Sequence, residues 1–130
     1  MRKSLKKFSA GLLLGALIVC GTFGATTASA AEGSFKVGGN SVYCALIKYN
    51  DQVKADTDSV SSVNCGIQLS YQFYSTSSGS FDSVVTMPKT SKYSHVSVKK
   101  NYPSGKSCNY AYSVHYGNSK SISLSEGTRK

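Results

Sequence analysis

Tryptophan is missing from this 130-residue chain, proline and histidine each occur twice, and only six residues are acidic. Each shortage removes a class of function. Six scattered carboxylates offer no close pair for general acid–base hydrolysis. Two isolated histidines, without any C-x-x-C spacing, supply no metal-ligand set. The Asp56-Thr57-Asp58-Ser59 run lacks the glycine and closing glutamate of an EF-hand loop and is expected to be a plain polar loop. Neither a G-x-S-x-G elbow nor a phosphate-cradling glycine loop is present. Arginine occurs only at Arg2 and Arg129, so the bidentate forks that read base edges are lacking and sequence-specific nucleic acid is not an expected partner. A cysteine–histidine nucleophile drawn from His95 or His115 is arithmetically open, but the cysteines fall among apolar strand residues, where thiols are structural. No enzymatic activity, cofactor or metal is expected.

What the chain does have begins with a removable leader. Arg2, Lys3, Lys6 and Lys7 precede an uncharged apolar run, 10–23, which ends in small residues and the triplet Ala28-Ser29-Ala30. Basic, apolar and A-x-A regions in that order predict a signal peptide over 1–30 and a single secreted β-rich domain over 31–130. The run falls short of the ~20 residues that span a bilayer. An alternative reads Leu17-Ile18-Val19-Cys20 as a bacterial lipoprotein signal, with the product anchored through lipid on Cys20. The branched Val19, where such signals want a small residue, favours cleavage after Ala30 and release to the extracellular space. The leader takes four basic residues with it, leaving eleven against six acids, a net charge of +5.

Short β-branched and aromatic runs separated by glycine, serine and asparagine predict an all-β fold. Val63, Cys65, Ile67, Leu69, Tyr71 and Phe73 alternate with polar or small residues, as do Cys108, Tyr110, Tyr112, Val114 and Tyr116, the period of a strand with one buried face. Weaker strands are expected over 35–37, 41–49, 83–87, 93–100 and 119–125, with 50–62 as a polar loop and 93–125 as a three-stranded meander. Six or seven short strands at this spacing predict a small antiparallel β-sandwich. A two-residue Gly117-Asn118 turn would set Tyr110, Tyr112 and Tyr116 on the face away from Ala111, Ile122 and Leu124, in a second buried layer or in the open. A three-residue turn with a bulge shifts the register by one and keeps the tyrosines in the core with Ile122, the expected arrangement. The overall composition resembles that of small, tyrosine- and serine-rich exported β-proteins of Gram-positive bacteria, without a shared motif.

Three cysteines remain after the leader. If the strands flanking the 50–62 loop pair with each other, Cys44 lies opposite Cys65, and oxidising surroundings predict a Cys44–Cys65 disulfide. A Cys65–Cys108 bridge is the alternative. The leftover thiol is buried, or else offers a route to a covalent dimer.

Charge carries the functional expectation. Residues 31–82 sum to −2, residues 83–130 to +7, and no acid lies between Asp82 and Glu126. Lys89, Lys92, Lys99, Lys100 and Lys106 crowd one strand and its flanking loops. Such a field attracts extended polyanions, and Tyr93, Tyr102 and Tyr116 are candidate aromatic contacts to sugar rings or a lipid interface. The plainer alternative is a solvated edge strand protected from aggregation by lysine. The expected function is a non-catalytic binding module for an anionic cell-surface component: a wall polymer, an acidic polysaccharide or an anionic lipid surface. A bacteriocin-like secreted antagonist is the second reading, and a protein-directed inhibitor or adhesin the third.

Overall fold

The computed structural model describes residues 27–130. The basic n-region, the apolar run and Cys20 therefore lie outside the described residues. Nine strands follow: β1 (Thr27–Val37), β2 (Asn40–Tyr49), β3 (Gln52–Asp58), β4 (Asn64–Ser75), β5 (Val85–Thr86), β6 (Thr90–Tyr93), β7 (His95–Asn101), β8 (Lys106–Gly117) and β9 (Lys120–Gly127). The fold is all-β and every strand pair is antiparallel, with nine strands rather than six or seven. One sheet has the order β1-β2-β3-β7. The other has the order β5-β4-β8-β9, with β6 also pairing β4 beyond β5. The expected cleavage after Ala30 falls inside β1, whose first residues pair with Lys48 and Ile47.

The inner faces of the two sheets meet in one apolar cluster. Val42, Cys44, Leu46, Val53 and Ala55 come from the first sheet, and Cys65, Ile67, Leu69, Tyr71 and Phe73 from the second. β2 is buried on both faces from Cys44 to Ile47, so its sequence is nearly continuously apolar rather than alternating. Gly38 and Gly39 both take positive φ in the β1–β2 turn, which a Cβ would disfavour.

Three expectations need correction. Residues 50–62 are not a loop: Val53, Ala55 and Thr57 face the core from β3, while Lys54, Asp56 and Asp58 point away. Because β3 occupies the place beside β2, Cys44 lies opposite Thr57 and Cys65 lies in the other sheet. Cys44 and Cys65 are thus not cross-strand neighbours. They face the same core from opposite sheets, close enough for Cys65 to add to the rise that burial gives the Cys44 pKa, and Cys44, Cys65 and Cys108 are all buried and unbonded.

Nor do residues 93–125 form a meander. β7 pairs β3 in the first sheet, whereas β8 and β9 belong to the second. The change of sheet occurs at Ser94, whose φ is 72°. Its amide donates to the Val63 carbonyl, and its own carbonyl accepts from the Ser59 amide.

The third correction concerns β8. A register shift lies opposite Gln72 and Phe73: Phe73 pairs Cys108, but Gln72 pairs Tyr110. Asn109 is the extra residue of a bulge, and it reverses which alternate side chains point inward. Cys108, Ala111, Ser113, His115 and Gly117 are buried, and Tyr110, Tyr112, Val114 and Tyr116 are half-buried on the outer face. The turn into β9 is Asn118-Ser119, so Ser113 lies opposite Leu124 and His115 opposite Ile122. Ile122 and Leu124 then face inward and pack on the core. Small residues are required where β8 meets the other sheet: a Cβ on Gly117 would stand 2.9 Å from Val42 and 3.1 Å from Val37.

Candidate functional site

Of the eight residues expected to contact a ligand, the structure brings three, Lys89, Tyr93 and Tyr116, to one face of the second sheet, while Lys92 points to the other face of the same edge strand. β6 adds to β4 beyond β5, placing Lys92 opposite Cys65, Ser91 opposite Gly66 and Tyr93 opposite Asn64. On the far side of β4, Gly66 lies opposite Tyr116 of β8. Ser91, Gly66 and Tyr116 therefore form one cross-strand row on the outer face of the second sheet, because partners share a face. Lys89 reaches across this row. Its ammonium sits 3.9 Å from the centroid of the Tyr116 ring, a cation–π contact. Gly66 makes room for the crossing: a Cβ there would come within 3.0 Å of Lys89 Cε. Tyr93 is 62% exposed, and beside it Lys92 has no carboxylate within ion-pair distance among the described residues. The corner of Lys89, Tyr93 and Tyr116 is the candidate site, with Lys92 beside it on the opposite face of the edge strand.

Lys99 and Lys100 lie further along the same stretch of chain, past the bend at Ser94, on the edge of the first sheet. They do not share a face. Lys99 points outward opposite Lys54, and Lys100 is half-buried opposite the core residue Val53. Lysines set directly across a strand pair repel. Lys54 gains relief from Asp56 at 3.8 Å, whereas Lys99 has no carboxylate partner among the described residues.

The other two expected residues serve the fold. Lys106 is fixed by both carboxylate oxygens of Asp82, at 3.0 and 2.9 Å. The Tyr102 hydroxyl donates to the Tyr49 carbonyl at 2.7 Å, and its ring packs edge-on against Phe73 at 5.4 Å. Burial first, with the neighbouring Cys108 second, raises the Tyr102 phenol well above the ordinary tyrosine range. It is a plug at the end of the core, not a surface contact.

A polar group is also buried at the centre of the molecule. His115 is fully inaccessible, with Nδ1 2.8 Å from Thr57 Oγ1 and Nε2 2.6 Å from Ser113 Oγ. Thr57 donates its hydroxyl proton to the Gly66 carbonyl at 3.2 Å, so it accepts from Nδ1–H, and Nε2 accepts from Ser113. Burial lowers the His115 pKa to about 4, with a hydrogen bond to the Asp56 backbone pulling the other way. The neutral ring bridges the two sheets. Its exclusion from solvent keeps it from substrate, and the thiols near it are equally closed. Burial pushes Cys44 up to about 12 and Cys65 up to about 11, which leaves both protonated and unreactive at neutral pH. No group of three or more potential metal ligands comes together among the described residues.

No family model matches this chain, and neither does any curated protein or solved structure.

Proposed function

We propose that this protein is a secreted, non-catalytic binding module that docks on an anionic polymer of a cell surface through the Lys89–Tyr116 corner. The observation that supports the reading is the meeting of Lys89, Tyr93 and Tyr116 on one face, with Lys92 turned to the other face of the same edge strand; neither ammonium group has a carboxylate partner among the described residues. Lys99 extends the positive charge around the edge, so the surface suits a long polyanion better than a small anion. β6 is a sheet edge, where lysine also discourages self-association. The two roles differ in what they do to binding.

Binding to a polyglycerol-phosphate wall polymer is expected at low ionic strength and is expected to be largely lost at high salt, because contacts between exposed charges are screened over about 8 Å at physiological ionic strength. Lys92→Glu/Lys99→Glu should reduce the affinity at least about tenfold, since two attractive contacts become repulsive. Lys36→Glu, an equal charge change on exposed β1, should have a much smaller effect. Lys48 is unsuitable as a control because its ammonium holds the Cys108 and Asn109 carbonyls. Equal binding by the parent and the double variant would reduce these lysines to edge protection.

A further inference from the structure

The bulge at Asn109 has a chemical consequence for the outer face of the second sheet. Tyr110, Tyr112 and Tyr116 lie along one face of β8, spanning six residues, or about 20 Å at the rise of an extended strand. The side chains beside them are polar and uncharged. Gln68, Ser70 and Gln72 flank them from β4, and Ser121, Ser123 and Ser125 from β9. The Tyr112 hydroxyl donates to Ser123 Oγ at 3.0 Å, so its side chain lies across the sheet rather than projecting from it. Cations mark both ends of the row. Lys89 covers part of Tyr116. At the other end, Gly127 turns at φ 84° and the following residues strap across the face. Asn109 Nδ2 donates to the Thr128 carbonyl at 2.8 Å, and Gln72 exchanges hydrogen bonds with the Lys130 backbone at 3.0 Å in both directions. This brings exposed Arg129 and Lys130 beside Tyr110.

We infer that this row is a platform for an extended acidic polysaccharide, a chain of sugars bearing carboxylates, laid along β8. The inference rests on the proposed polyanion binding and names the polymer's chemistry. Tyrosine presents an apolar ring with a polar tip, which suits the apolar face of a pyranose. The bordering hydroxyls and amides pair with sugar hydroxyls, and the terminal cations meet carboxylates. An anionic membrane would call for projecting apolar side chains, and a protein partner for a contiguous apolar patch at the contact centre. This row offers neither: Val114 is the one apolar side chain between the tyrosines, and serine and glutamine of β4 and β9 border it on both sides.

Alginate, a linear polyuronate, is the probe, with polyphosphate as a polyanion that has no sugar rings. The parent should bind both. Tyr112→Ala should weaken alginate binding by about tenfold while polyphosphate binding changes little. Tyr112→Phe, which keeps the ring and loses only the bond to Ser123, should bind alginate nearly as the parent does. Far-ultraviolet circular dichroism confirms that each variant is folded. If Tyr112→Ala binds alginate as the parent does, or if the parent binds polyphosphate but not alginate, the platform is refuted and the broader polyanion reading stands. If the parent binds neither polymer, the broader reading fails and the platform with it.

Discussion

His115 is the residue whose environment departs furthest from its sequence context. Lysine-rich strands surround it in sequence, yet the Asn109 bulge turns it inward, where Thr57 and Ser113 satisfy both ring nitrogens. Its depressed pKa has a definite sign. Between the ordinary value of 6.5 and about 4, the unfolded chain takes up a proton that the folded chain refuses. This contribution to stability is complete above pH 6.5 and is lost as the pH falls to about 4, a change of roughly 3 kcal/mol. Urea unfolding at pH 7 and pH 4 should show that loss, and His115→Gln should flatten it. Thr57→Val should cost about 1–3 kcal/mol, because it leaves the Nδ1–H donor buried without a partner. The cysteines are a second check at this scale. A thiol reagent at pH 8 should find no reactive cysteine in the folded polypeptide 31–130 and three in denaturant. A single reactive thiol in denaturant would show that a disulfide had formed.

At the level of elements, much of the fold was legible. The alternation of 63–73 places β4, and the glycine turn at 38–39 places the end of the β1–β2 hairpin; the strand expected over 35–37 is in fact eleven residues long and begins at Thr27, inside the stretch assigned to the leader. β3 was legible too: Val53, Ala55 and Thr57 alternate strictly with Lys54, Asp56 and Asp58. The weakly apolar Ala55 and Thr57 and the density of aspartates hid it, and placing Cys44 and Cys65 on adjacent strands followed from that one omission. The bulge at Asn109 was not legible, since an extra residue in a strand leaves no mark when both faces of β8 carry plausible core residues. Nor was the bend at Ser94, a serine at positive φ with no glycine to announce it, held by backbone bonds to Val63 and Ser59. The inward register of β8 predicts that Gly117→Val overpacks against Val42, Val37 and Phe35 and costs about 1–3 kcal/mol by urea unfolding. A variant as stable as the parent would contradict that register.

Across the whole molecule, charge and aromatic surface are distributed by the same two features. The bend at Ser94 separates Lys99 and Lys100 from Lys89 and Lys92, so the expected straight stripe of lysines becomes a ribbon around one edge. The bulge brings Tyr116 outward to meet Lys89. The resulting corner joins the edge ribbon to the outer face of the second sheet, and the polyanion reading depends on that corner being where a ligand lands. The most direct measurement is amide chemical-shift mapping of the isotopically labelled mature protein during titration with the polyglycerol-phosphate polymer at low ionic strength. The account predicts the largest shifts at Lys89, Lys92, Tyr93 and Tyr116, reversed by added salt. Shifts concentrated on the outer face of β1 and β2, or none while polymer is in excess, would contradict it.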